Sequence, residues 1–382
     1  MIRFGTKSIV LLLGAVHGLV VMCLLLFVRK NKSANRTLAA LLLFFVLRIT
    51  PYIIGFAGYY DAYPWLSFSP LDITFAFGPL VYLYIRLLTA GSVPRRTYTL
   101  LLPALLQILY YSVLFFQPLA FKNSWDDRIQ VPYVNPVETF IALALLTGGW
   151  LASIRRYRAY RRWVNENVSN GEDLRLDWIR YFLVALGATL VVWAGFELTE
   201  WLYRPLTYIQ RFPLYVWQML LVYYLGTEGW RNASRDYPHP AITALPLSEQ
   251  PALQAAESPR PPDRDWVAQG ADWRQIVLQQ SLWLDPEITL AALSRQLGTN
   301  TSHLSRALNE GLGQNFNEFI NRLRVDFVAL QLADPSDTRD LLDLAFAAGF
   351  SSKASFNRCF KLYTGLTPTE FRRNPPAQRP KS

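Results

Sequence analysis

The chain has 382 residues, of which 52% are hydrophobic, 14% aromatic and 17% charged, and its formal net charge is +10. So little charge among so much apolar sequence argues against a wholly soluble chain and points to a membrane-embedded portion. The two cysteines, Cys23 and Cys359, stand far apart, as do His17, His239 and His303; this excludes a disulfide framework, a zinc site and a histidine-based catalytic cluster, and both cysteines read as small packing residues.

Seven apolar stretches are long enough to cross a bilayer, near residues 8–28, 38–58, 71–89, 98–117, 137–154, 178–202 and 212–229. The first has no small-residue cleavage site before "RKNK" and is kept as a span rather than a signal peptide. Lys and Arg concentrate in alternate connections: "RKNKSANR", "GSVPRRT", "RRYRAYRRW" with Arg175, and Arg231 with Arg235 hold 14. The opposite side holds six, namely Arg3, Lys7, Lys122, Arg128, Arg204 and Arg211. The basic side is expected to be cytoplasmic, so the N-terminus lies outside and the C-terminus inside. Residues 1–236 hold 23 Lys/Arg against 13 Asp/Glu, so most of the positive excess belongs to these loops and is no argument for nucleic acid.

Ionisable groups at membrane depth are costly and therefore mark candidate functional positions. Arg48 falls mid-span, whereas Asp72, Glu138, Glu197 and Glu200 fall toward the outer ends of theirs. Two readings are open. The carboxylates line an outward-facing ligand pocket with Trp193, Trp201 and Trp217, or they sit at the water interface and neutralise Arg48. Pro51, Pro79, Pro103, Pro205 and Pro213 lie in or beside spans, where a missing N–H loosens a helix.

Residues 237–269 contain seven prolines among Ala, Ser and Gln, a composition that cannot bury a core and reads as an extended linker. Beyond it the pattern becomes amphipathic. In "TLAALSRQLG" the residues Leu290, Leu293 and Leu297 share one face and Gly298 ends the helix; "TSHLSRALNEGLG" follows with Leu304 and Leu308 as its buried pair. That is a helix, a tight turn and a helix. "NFNEFINRLRVDFVALQLAD" places Phe316, Phe319, Ile320, Leu323, Phe327 and Leu330 at helical spacing and predicts a long helix stopped by Pro335. The first pattern then repeats: "DLLDLAFAAG", a turn at Gly349, and "SSKASFNRCFKLYTG" with Phe356 and Phe360 four apart. "TPTEFRR" closes with Pro368 near a helix start.

These residues resemble the DNA-binding domain of the AraC family over roughly 100 of the 382 positions. The resemblance rests on Gly349-Phe350, on Ser355, Phe356, Arg358 and Phe360, and on "G-x-T-P-x-x-F-R" from Gly365 to Arg372. Val328 stands where the family has a small alanine and Leu344 where isoleucine is commoner, two changes that tune packing. The resemblance implies two helix-turn-helix units joined by a long helix, bacterial origin, major-groove sites on one DNA face, and contact with RNA polymerase. If Leu304 and Leu308 face the core, Ser302, Ser305, Arg306 and Asn309 face outward; if Phe356 and Phe360 do, Lys353, Ala354, Asn357, Arg358 and Lys361 lie on the side that meets DNA. Arg306 and Arg358 suit a guanine edge or a phosphate. Residues 349–382 hold seven Lys/Arg and one acid, Glu370, so this end suits phosphate contacts.

The expected fold class is all-α: a seven-helix transmembrane bundle over 1–236, a linker over 237–269, a double helix-turn-helix domain over 270–374 and a basic tail over 375–382. The expected function is a membrane-anchored transcription regulator of the bacterial inner membrane, with promoter DNA, RNA polymerase and the lipid bilayer as partners. A small-molecule ligand and a homodimer are further candidates, and no cofactor is expected. No H-E-x-x-H, G-x-S-x-G, P-loop or kinase glycine loop is present, so an enzyme is not expected. The alternative is a transporter or receptor-like membrane protein with an appended regulatory tail.

Overall fold

The structure is a computed structural model, and it describes residues 2–169, 176–202, 206–207, 209–235, 237–239, 265–334 and 336–373. Arg175, Arg204, Pro205, Pro335, the linker from Pro240 to Arg264 and the tail 375–382 lie outside the described residues. The fold is all-α: among the described residues there is no strand, only an isolated antiparallel bridge between Val168 and Thr289. Two compact units are present. One comprises Met1–Ala159 with Asp177–Ile242, the other Tyr160–Leu176 with Thr243–Ser382.

The first unit contains α1 (Thr6–Phe27), α2 (Lys32–Phe56), α3 (Phe77–Ala90), α4 (Leu102–Phe115), the start of α5 (Asn135–Asn167), α6 (Asp177–Leu202) and α7 (Phe212–Asn232). Among the described residues five helical stretches are long and apolar enough to cross a membrane, Thr6–Phe27, Lys32–Phe56, Arg95–Phe115, Leu119–Asn167 and Asp177–Leu202, and Thr74–Ala90 is a shorter apolar helix. The stretch at 71–89 shortens because Asp72 and Thr74 are drawn to Arg48, leaving a 3₁₀ turn at Thr74–Ala76 before the 14-residue α3. Helix α7 has the length, but Gln218, Tyr223, Tyr224 and Glu228 dilute its apolar character. The basic stretch "RRYRAYRRW", read as a loop, is helical instead. Tyr157, Tyr160 and Val164 recur at three- and four-residue spacing and are buried, so α5 continues to Asn167.

Leu11 and Ala15 of α1, Val46, Ile49 and Ile53 of α2, and Tyr215 and Met219 of α7 form one core cluster. Helices α3 and α5 touch backbone to backbone: a Cβ on Gly78 would fall on the Leu145 carbonyl, and one on Gly149 on the Gly78 carbonyl. The outward faces are apolar, with Leu13 and Val20 of α1, Leu106 and Leu109 of α4, and Val184 and Val191 of α6 all exposed. Cys23 belongs to that outer surface and packs no core, because its position on α1 faces away from α2 and α7.

The second unit adds α8 (Trp266–Gln279), α9 (Leu290–Gln296), α10 (Thr301–Arg306), α11 (Phe316–Leu332), α12 (Leu341–Ala347), α13 (Lys353–Thr364) and α14 (Pro368–Arg373). Helix α8 opens inside the stretch read as linker, because the Asp265 carboxylate accepts the N–H groups of Val267 and Ala268. One apolar core joins all seven helices, from Trp273 and Val277 through Leu293, Leu304 and Phe319 to Phe356, Phe360 and Phe371. Val328 and Leu344 are both fully buried in it. Leu330, counted on the apolar face of α11, is 66% exposed. That face instead buries Asn321 and Arg324 beside Leu323, Val325, Val328 and Leu332.

Candidate functional site

In the second unit both helix-turn-helix pairs are built from caps and tight turns. Thr289 accepts the Ala292 N–H at the start of α9, and Asn300 accepts the His303 N–H at 2.8 Å to start α10. In the second pair, Gly349 turns the chain with φ of +84°, where a Cβ would strike the Leu284 carbonyl; Ser352 then caps α13. The linker helix α11 between them has a full capping box, Asn315 with Glu318.

Helix α10 buries Leu304, and the π-helical turn Ala307–Gly311 that extends it buries Leu308. Ser302, Arg306 and Asn309 are exposed and Ser305 is half-buried. The Arg306 guanidinium stands 3.9 Å from the Glu310 carboxylate, and the Asn309 amide donates to the Ser305 carbonyl at 2.9 Å. Helix α13 buries Ser355, Phe356, Cys359 and Phe360 along one side. Lys353, Ala354, Asn357, Arg358 and Lys361 lie on its exposed side. Phe356 and Phe360 pack edge to face at 5.6 Å, and Phe360 meets Phe371 of α14 at 5.3 Å. Each helix is thus anchored by apolar side chains on one face and presents polar and cationic groups on the other. Such a face can donate hydrogen bonds to phosphates and base edges.

A helix-turn-helix domain model matches residues 293–374. A probable transcription factor, PqrA of Proteus vulgaris, is 30% identical over 97 residues, which cover 25% of this chain and 78% of that protein. The chain belongs to the AraC-type helix-turn-helix regulators. Uncharacterized HTH-type transcriptional regulators of Staphylococcus aureus strains COL and MSSA476 are each 40% identical over 91 residues. The match spans 24% of this chain and only 12% of the length of those staphylococcal regulators. No solved structure matches the chain.

In the first unit of this AraC-type regulator the polar residues on and beside the apolar helices gather into connected groups. Arg48 donates to Asp72 at 3.0 Å and to Thr74 at 2.6 Å, and its guanidinium lies over the Trp193 ring at 5.3 Å. The Trp193 indole donates to Glu197. Arg211 bridges Glu197 at 3.0 Å and Glu200 at 2.6 Å. Arg48 is therefore neutralised by Asp72, and the glutamate pair by Arg211. Glu138 stands apart and accepts from Gln107 and from the Tyr111 hydroxyl. Trp217 donates to Thr189, while Trp201 is 81% exposed and lines nothing. A cavity of about 350 Å³ opens beside Glu138, walled by Phe75, Gln107, Tyr110, Tyr133, Val137 and Ile141. Of the five ionisable residues expected to sense a ligand, Glu138 alone lines it.

Sequence reading passed over a further polar group on the linker helix. Asn317, Asn321 and Arg324 are spaced four and three apart, a second stripe beside the apolar one. That spacing was a readable signal, because an apolar helix face rarely carries three consecutive polar positions without partners for them. Arg324 is 0% exposed; its Nε donates to the Trp283 carbonyl at 2.9 Å and its Nη2 to the Asp285 carbonyl at 2.7 Å. Its guanidinium also lies 5.8 Å from the Phe350 ring, and burial brings its pKa down to about 10.

Proposed function

We propose that this chain is a membrane-anchored bacterial transcription regulator that binds promoter DNA through α10 and α13. One observation carries the reading: a capped helix-turn-helix domain shares its chain with long helices whose outer faces are apolar. Exposed apolar surface on that scale is stable in lipid rather than in water. The proposed order along the chain is a sensor over 1–236 with its N-terminus outside, a linker over 237–269, the DNA-binding domain over 270–374 in the cytoplasm, and a basic tail over 375–382. All seven apolar helices cross the inner membrane in this reading, α3 and α7 finding cover among their neighbours. Arg306 and Arg358 contact guanine or phosphate, with Ser302, Ser305, Asn309, Lys353, Ala354, Asn357 and Lys361 around them. RNA polymerase is the partner at the promoter, and the chain is not an enzyme.

The signal enters at the polar groups of the membrane half, Arg48, Asp72, Glu138, Glu197 and Glu200. The cavity beside Glu138 suits a small, largely apolar ligand with one hydrogen-bond donor, and self-association through the membrane helices is a second route for the signal. Either must favour one of two states to act. The test is genome-wide crosslinking of the intact protein in membranes, with Arg358→Ala as control. Discrete sites lost in the variant support the reading; an inserted, full-length protein that occupies no discrete site refutes it.

A further inference from the structure

The second unit contains a piece of chain that sequence order assigns to the membrane half. Val168 and Ser169 directly follow α5, yet they are buried within the DNA-binding unit, Ser169 to 1% exposure. The contact is made of hydrogen bonds to backbone, so it selects a path of chain rather than an apolar patch. The Asn317 amide donates to the carbonyls of both Val168 and Ser169 at 2.8 Å, and the Asn321 amide donates to the Ser169 carbonyl at 3.0 Å. The Asn317 side-chain oxygen in turn accepts from Asn321, which holds both amides in place. On the other side, the Ser169 hydroxyl donates to the Ile288 carbonyl at 3.0 Å, and Val168 bridges Thr289, the cap of α9.

The Ser169 hydroxyl also accepts from Arg324 at 3.3 Å. That arginine holds the carbonyls of Trp283 and Asp285, which lead into the first helix-turn-helix pair, and stands over Phe350, in the turn of the second. One buried guanidinium therefore touches the entry of the first pair, the turn of the second and the segment that follows a membrane helix.

We infer that the stripe Asn317, Asn321 and Arg324 on the linker helix is a docking surface for the Val168–Ser169 segment, and that this contact is where the membrane half acts on the DNA-binding half. The docked segment braces Arg324 and so keeps the two recognition helices in fixed register, the state competent to bind DNA. Movement of α5 along its axis, or its rotation, withdraws the segment and loosens that register. The docking stands on geometry by itself, while its effect on DNA rests on the proposed function.

The test uses the full-length protein in membranes and two variants, one on each side of the contact: Ser169→Pro, which removes the donor and hydroxyl of the segment, and Asn317→Leu, which removes the receiving amide from a half-buried position. Hydrogen exchange of the peptides covering 283–290 and 316–324 is read first. Docking predicts that both variants lose protection there by tenfold or more, with 353–364 unchanged; protection equal to wild type in both overturns the docking. Occupancy at crosslinked DNA sites is read second. Each variant is expected to lose occupancy at least threefold, and the double variant no more than the worse single one, because both break one contact. Unchanged occupancy, or losses that multiply, overturns the coupling. A wild-type protein with no DNA sites refutes the proposed function and leaves the exchange result to judge the docking.

Discussion

Arg324→Met is the sharpest probe of how the DNA-binding unit is held together. Met has a similar length and no donor, so the substitution leaves little cavity but strips partners from the Trp283 and Asp285 carbonyls and from the Ser169 hydroxyl. A buried carbonyl without a donor costs about 1–3 kcal/mol, and one is created at Trp283, because the Asp285 carbonyl keeps the Ile288 N–H. Part of this is returned, since burial already disfavours the cation enough to bring its pKa to about 10. The net loss is expected at about 1–2 kcal/mol, a fall of roughly 5–15 °C in the unfolding temperature for a unit of this size. Arg324→Lys, which keeps a cation but offers a point donor in place of a planar fork, should fall between the two. The assay is thermal unfolding of the full-length protein in detergent, followed by exchange of the peptide covering 283–290. A Met variant as stable as wild type refutes the idea that this guanidinium ties the first helix-turn-helix pair to the linker helix.

Arg306→Ala and Arg358→Ala should each weaken site-specific DNA binding by about 1–3 kcal/mol in a footprinting titration, with unfolding temperatures within a degree or two of wild type, because both side chains are exposed. Phe360→Ala should do the reverse in a melting experiment, costing about 3–5 kcal/mol of stability, since the ring is fully buried between Phe356 and Phe371. Gly349→Ala should destabilise by about 2 kcal/mol or more, because the residue sits at φ of +84° and its Cβ would meet the Leu284 carbonyl; chemical denaturation measures it. Asp337 has its pKa held down to about 2 by hydrogen bonds from Arg339. A depressed carboxylate stabilises the fold above its ordinary pKa of 3.8 and loses that effect as pH falls through about 2, so exchange of the 336–340 turn should rise over that window.

The double helix-turn-helix pattern was legible because each of its devices is local. The leucine and phenylalanine pairs recur at helical spacing, the turns need Gly298 and Gly349, and the caps Asn300 and Ser352 stand directly before their helices. Burial of Leu304, Phe356 and Phe360 then leaves Arg306 and Arg358 on the outer face by the geometry of a 3.6-residue turn alone. Long apolar runs in the first half were equally plain, since a helix that satisfies its own backbone needs only length and composition to suit a bilayer.

What tertiary structure decided was every pairing between distant residues. Apolar length suggested seven spans, yet the pull of Arg48 on Asp72 and Thr74 shortened one of them to the 14 residues of α3. The four carboxylates could line one pocket or sit neutralised; Asp72 pairs with Arg48, Arg211 takes Glu197 and Glu200, and Glu138 alone stands beside the cavity. "RRYRAYRRW" looked like a loop because charge density masks the buried stripe of Tyr157, Tyr160 and Val164. Val168 and Ser169 lie about 150 positions from Asn317 and Arg324, and no periodicity within a single helix can reveal a hydrogen bond between chain segments that far apart. Composition and local period determine which helices form and which face each one buries; the partners of a buried polar group are set only when the chain closes on itself.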